Sequence, residues 1–343
     1  MLSRVANSIY WMARYIERAE NTARFVDVAE QMTLGRGDGV NRASAEWSPL
    51  ISAIGDDETY AEAYGEVTPA GVARFLLLDP ENPNSVLSCV SAARENARTV
   101  REVTSSEMWN EINRLYHRLR SASDLSGTAH AINLCEATKA GSLAFQGISA
   151  ATLSRGTGWD FQKLGTMLER ADKTSRLLDV KYYLLLPTVE HVGSPLDQVQ
   201  WSALLRSVSA LEMYRQRFGA ITPKNVVRFL VLDEYFPRSL LFCLFEAQAA
   251  LDQIVRDAPE IGVLPARSLG RLRSELAYGT PEDIQQEGVH QFLDRFQTAL
   301  NDLGGDLSQA YFNPGPAEDD DEVEDPAAEE EPAARAPLRQ TQG

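Results

Sequence analysis

The segment YWMARYIERAENTARFVD at residues 10–27 has a counterpart in the same chain, QKLGTMLERADKTSRLLD at residues 162–179. Glu17, Arg18, Ala19, Thr22, Arg24, Asp27 and Val28 correspond to Glu169, Arg170, Ala171, Thr174, Arg176, Asp179 and Val180, each 152 positions on. Further blocks follow in the same order at a spacing of 154. Trp47 matches Trp201, Tyr60 matches Tyr214, and VTPAGVARFLLLD from Val67 matches ITPKNVVRFLVLD from Ile221. Pro83, Ser85 and Cys89 continue as Pro237, Ser239 and Cys243. Repetition in register over about 150 residues points to an internal duplication. It predicts two pseudo-equivalent repeats at 1–152 and 153–312, followed by a tail at 313–343.

The period within each block is helical. Ile9, Met12, Ile16, Ala19, Ala23 and Val26 form one stripe at alternating spacings of three and four, while Trp11, Tyr15 and Phe25 fall elsewhere on the wheel. A helix over about Ser3–Met32 is therefore apolar on more than one side, as interior helices are. The glycines of GRGDG at 35–39 end it. Further helices are expected at 48–64, from Pro69 until Pro80 and Pro83 close it, and at 84–102, 106–120 and 128–153. Thr68 serves as N-cap and Pro69 as first helical residue of the second of these. No period-2 run outcompetes the helical pattern, including the apolar stretch Leu184–Leu186 before Pro187. The fold class is all-α: an internally duplicated helical bundle.

The net charge of −16 is unevenly spread. Ten acids and two arginines from Glu318 onward supply −8 of it, among prolines and alanines that cannot bury enough apolar surface to order a segment. The tail is expected to be disordered and solubilising. The acidic remainder argues against nucleic acid and anionic membranes as partners, since both call for basic patches. Three widely spaced cysteines, Cys89, Cys135 and Cys243, fit buried thiols in a reducing compartment. With no apolar leader and no membrane-length apolar run, the chain reads as soluble and cytoplasmic.

The candidate chemistry lies on the repeated helix. Glu17, Asn21 and Arg24 share one face, as do Glu169, Lys173 and Arg176. Glu20 to Arg24 and Asp172 to Arg176 are favourable i,i+4 pairs. Neighbours on a helix diverge by 100°, so Glu17 and Arg18 are expected to serve different surfaces. On an apolar helix these charges are partly buried and need partners. Arg74 with Asp79 and Arg228 with Asp233, present in both copies, are candidates beside Asp27 and Asp179. Such a set is either an ion-pair lattice fixing helix register or a site binding a carboxylate, phosphate or peptide terminus.

Other chemistries are thinly supported. Glu287 and His290 make one Glu-x-x-His spacing, where helical di-metal sites need two plus further carboxylates, and His117, His130 and His191 have no comparable neighbours. The GRGDG glycines lack the Lys-Ser/Thr of a phosphate loop. No cofactor or metal is implied.

With YIERAENTAR at 15–24, LERADKTSRLLDVKYY at 168–183 and the paired TP blocks, the chain resembles the bacterial Alpha-E family, all-helical domains with a Glu-Arg motif. The resemblance covers about residues 1–312. It implies a partnership with a circularly permuted ATP-grasp protein and an association with a transglutaminase-like cysteine peptidase, in peptide synthesis or modification. It carries no catalytic role onto Glu17 or Glu169. The expected function is a non-catalytic helical accessory of an amide-bond-forming ligase. The alternative is an enzyme using Glu17, Arg18, Arg24, Glu169, Arg170 and Arg176 on a peptide or acyl phosphate, and self-association is a further expectation.

Overall fold

The computed structural model describes residues 1–34, 47–48, 50–52, 56–122, 128–183, 195–257 and 259–313. Among them every regular element is helical. The GRGDG segment, Leu184–Leu186, His191 and the acidic tail lie outside the described residues.

Helix α1 spans Ser3–Leu34, α2 Asp57–Tyr64, α3 Pro69–Leu77, α4 Val86–Thr99, α5 Ser106–Ser121 and α6 Thr128–Thr152. Then follow α7 at Thr157–Tyr183, α8 at Pro195–Ser207, α9 at Leu211–Phe218, α10 at Pro223–Leu232 and α11 at Leu240–Asp257. The chain continues through α12 at Val263–Tyr278, α13 at Pro281–Glu287 and α14 at Val289–Leu307, and a π-helical turn covers Ser308–Phe312. The helix expected over 48–64 is not continuous. Asp56 has non-helical backbone at φ −115° and ψ 26°, and α2 starts only after it.

Local chemistry sets several boundaries. Thr68 and Thr222 each take an extended conformation before a proline, and their hydroxyls accept from the backbone N–H of Gly71 (3.1 Å) and Asn225 (3.3 Å). The buried Tyr60 and Tyr214 brace the same turns, their hydroxyls donating to Glu66 O (3.4 Å) and Ala220 O (3.0 Å). Helices α2 and α9 end on Gly65 and Gly219 at φ +70° and +67°, which a side chain would strain.

Helices α1 and α7 pack against each other at the centre. Helix α1 is flanked by α4 and α6, and α7 by α11 and α14. The buried apolar residues form one continuous core running from Ala6 to Phe312, with a smaller cluster of Met12, Ile16, Ala93, Ala97, Met108, Ile112 and Phe145 beside α1. Both motif helices are thus interior on nearly every side, as their apolar wheels require. That position forces their charged residues into the core.

Candidate functional site

The two Glu-Arg motifs meet where α1 crosses α7, and they exchange partners. Arg170 donates from Nε to Glu17 Oε1 (2.9 Å) and from Nη2 to Oε2 (2.8 Å). Reciprocally, Arg18 donates from Nε to Glu169 Oε1 (2.6 Å) and from Nη2 to Oε2 (3.2 Å). Each carboxylate is therefore held by a two-pronged guanidinium from the other helix, the strong geometry for this pair. Glu17 and Glu169 are 1% and 0% exposed, so neither has water as an alternative partner.

The expectation that Glu17 and Arg18 serve different surfaces is corrected here. Although they diverge by about 100° on the helix, Glu17 and Arg18 both reach α7, at Arg170 and Glu169 respectively. Both are long enough to reach across.

The surroundings complete the coordination. Arg238, from the turn before α11, donates to Glu17 Oε1 (3.1 Å) and Asn21 Oδ1 (3.2 Å) and also binds Glu20. Gln146 and Ser142 of α6 donate to Glu17 Oε2 (3.0 Å) and Glu20 Oε2 (2.6 Å) respectively. Glu169 receives Arg14 Nε at 2.7 Å and has Lys173 Nζ at 3.7 Å, while Arg18 Nη1 donates to Asn84 Oδ1 (3.1 Å). The within-helix pairs expected from spacing are present: Arg24 with Glu20 at 2.8 Å and Arg176 with Asp172 at 2.9 Å. Arg24 Nη1 also donates to Ser209 Oγ (2.7 Å).

Burial pushes the Glu17 carboxyl up, but Arg170, Arg238 and the hydrogen bonds outweigh it and hold it at about 2. Burial opposes ionisation of Glu169 as well, yet Arg14, Arg18 and Lys173 keep it well below the usual carboxylate range. Asp172, likewise buried, is lowered by Lys173 and Arg176. The motif carboxylates are thus ionised and engaged at neutral pH. A general base instead needs a proton affinity near the working pH.

Cysteines 89 and 243 lie beneath the two pairs, each thiol turned to a proline carbonyl, Pro83 O (3.6 Å) and Pro237 O (3.7 Å). Burial raises both thiols to about 12, which makes them packing groups rather than nucleophiles at neutral pH.

The remaining candidates fall outside the crossing. Asp27 pairs with Lys139 of α6 (2.5 Å), and Asp179 with His290 Nδ1 of α14 (2.6 Å), so both tie a motif helix to a flanking helix. Arg74 and Asp79 do not reach the motif. The Asp79 carboxylate accepts from the Tyr64 hydroxyl (2.8 Å) and the Glu81 N–H (2.9 Å). Asp233 pairs with Arg217 and accepts the Tyr235 and Phe236 N–H groups at 2.9 and 2.8 Å. Arg228 packs over the Phe218 ring. These aspartates shape turns, and the motif is bound by its own copy, by Asn21 (donating to Glu17 Oε1 at 3.1 Å) and Lys173 on the expected faces, and by Arg14, Asn84, Gln146 and Arg238. Asn84 and Arg238 occupy the same repeat register, 154 apart, but differ in identity, which hid them from a search for matching residues.

Among the described residues, no group of three or more His, Cys, Asp or Glu is placed to hold a metal ion. Glu287 is bound by Arg295 and His290 by Asp179. No helix among the described residues is long and apolar enough to cross a membrane.

The Glu-Arg dipeptides at 17–18 and 169–170 in an all-helical chain correspond to a described family motif. The family model for Alpha-E, a predicted alpha-helical domain with a conserved ER motif, matches residues 1–312. The chain belongs to the Alpha-E family. Its similarity extends to an uncharacterized protein of Mycobacterium bovis, 26% identical over 300 residues that make up 82% of this chain and 33% of the relative. An uncharacterized protein of Mycobacterium tuberculosis matches with the same identity and coverage. The chain therefore spans about a third of the length of these curated relatives, so in them the Alpha-E region is joined to a larger body of sequence. No solved structure matches the chain.

Proposed function

We propose that this Alpha-E chain is an internally duplicated helical scaffold. Its Glu-Arg motifs form the joint between two repeats, 1–152 and 153–312, and its outer surface serves a partner enzyme. The observation that carries this reading is the exchange of partners: Glu17 is held by Arg170 and Glu169 by Arg18. Two copies of one motif that satisfy each other across a pseudo-twofold crossing are what a fused pair of repeats requires. A single reaction centre rarely needs two equivalent sets.

The partner in this proposal is a circularly permuted ATP-grasp protein forming amide bonds, with a transglutaminase-like peptidase acting in the same cytoplasmic system. Support comes from membership of the Alpha-E family and from relatives in which the matched region is about a third of a longer chain. The chain contributes docking surface and no reacting group.

Co-purification with the ATP-grasp protein tests this. The proposal expects the two to co-elute and the ligase's ATP turnover to change when this chain is added. Separate elution with unchanged turnover refutes it.

A further inference from the structure

Asp172 occupies on α7 the register that Glu20 occupies on α1, 152 positions earlier, but the two carboxylates face different surroundings. Glu20 is closed in by Ser142, Arg24 and Arg238, with Gln146 Nε2 at 3.3 Å. Beside Asp172 there is instead a cavity of about 210 Å³ between α1, α7, α14 and the π-helical turn. Arg14, Asp172, Asn301 and Ser308 supply its polar lining, and Trp11, Leu168 and Leu300 are among its apolar walls.

Three features mark this cavity as more than a packing gap. The first is unused hydrogen-bonding capacity. Arg14 Nε is committed to Glu169 and Nη1 to Tyr10 Oη (3.2 Å), and its charge also faces Asp172, while Nη2 donates to no described residue. The second is the backbone. Gly304 lies in the last turn of α14, on the cavity wall, where a Cβ would meet no atom within 4 Å. The adjoining Ser308–Phe312 turn is π-helical, a rare form that recurs at functional sites. The third is charge. Glu17, Glu20, Glu169, Asp172 and, facing Arg18 and Lys173, Asp56 are five carboxylates at the crossing, set against seven cations: Arg14, Arg18, Arg24, Arg170, Lys173, Arg176 and Arg238. Asp172 itself is already neutralised by Lys173 at 3.0 Å and Arg176 at 2.9 Å.

From this geometry we infer a binding site for a small apolar monocarboxylate. The carboxylate lies against Arg14, with Asn301 and Ser308 as further donors, and the apolar body lies against Trp11, Leu168 and Leu300. The volume is below the roughly 300–1,000 Å³ of sites for drug-sized ligands, so it suits one residue-sized group. That group is either a free acid or the C-terminal residue of a peptide. The site belongs to this chain alone and does not depend on the ATP-grasp partnership.

Calorimetric titration of the purified full chain with N-acetyl-L-leucine tests the inference, with N-acetyl-L-leucinamide as the control lacking the carboxylate. The expected result is saturable binding of the acid and binding weaker by roughly tenfold or more for the amide, the loss of a charge-assisted hydrogen bond. Arg14→Met should weaken the acid to a similar degree. Gly304→Leu fills the cavity from a position with open space and should abolish binding while the circular dichroism melt stays unchanged or rises. Gly-Gly-Leu distinguishes the sources: binding as tight as the acid assigns a peptide C-terminus, and no binding assigns a free acid. No saturable heat with N-acetyl-L-leucine, equal affinity for the amide, or undiminished binding by Gly304→Leu overturns the site.

Discussion

Replacing Glu17 by glutamine keeps the shape of the side chain and removes its charge. Arg170 then loses its two-pronged acceptor, and Arg238 keeps only Glu20 as a carboxylate partner. All three groups are almost fully buried, so solvent cannot compensate. Breaking a buried pair by altering one partner costs about 3–5 kcal/mol, whereas removing both partners together costs less than the sum. The magnitude agrees with the carboxyl itself. A fall from an ordinary value of 4.5 to about 2 corresponds to about 3 kcal/mol at one pKa unit per 1.36 kcal/mol. Urea unfolding of the wild type, Glu17→Gln, Arg170→Met and the double variant forms the cycle. The expected outcome is about 3–5 kcal/mol for each single variant and a coupling of about 2–3 kcal/mol. Additive losses, or a Glu17→Gln loss below about 1 kcal/mol, would refute the reasoning, because either shows that the Glu17 charge is not coupled to Arg170.

Stability should also fall in acid. Glu17, Glu169 and Asp172 all have lowered values when folded, so their contribution is complete above pH 4.5 and disappears as pH drops towards 2. The Glu17→Gln variant should lose about 3 kcal/mol less over that window than the wild type, read from urea midpoints at each pH. Cys89 and Cys243, with thiols raised to about 12, should react with a thiol-specific disulfide reagent at pH 8 only on unfolding. Gly219→Ala should destabilise by about 1–2 kcal/mol in thermal melts, because φ of +67° forces a Cβ into the left-handed region.

The helical nature of the chain was legible because its signals are local. Threonine caps followed by proline, the three-four apolar spacing and the within-helix Glu20–Arg24 and Asp172–Arg176 pairs each depend on residues within a turn or two. The crossing was legible only in part. Repetition singled out Glu17, Arg18, Glu169 and Arg170, but helical geometry alone suggested that adjacent residues part company. Where two helices meet, the partner's contact line decides which side chains converge, and that line is a tertiary fact. Arg14, Gln146 and Arg238 were missed for a related reason. Each reaches the lattice from a position whose repeat counterpart is a different residue, so repetition gave no hint of them. Arg74 and Asp79 mislead in the opposite direction, since the recurrence belongs to two turns, with Asp79 bound by Tyr64 in one and Asp233 by Arg217 in the other, rather than to a link with the motif.

The central claim is that the two motifs bind each other crosswise, and arginine side-chain NMR reads it directly. In protein labelled with ¹⁵N-arginine, the Nε–H signals of Arg18 and Arg170 should be shifted and slow to exchange, as expected of buried guanidiniums on carboxylates. Glu17→Gln should displace the Arg170 signal and leave Arg18 in place, and Glu169→Gln should do the reverse. A Glu17→Gln variant that moves Arg18 while Arg170 stays unchanged would contradict the account.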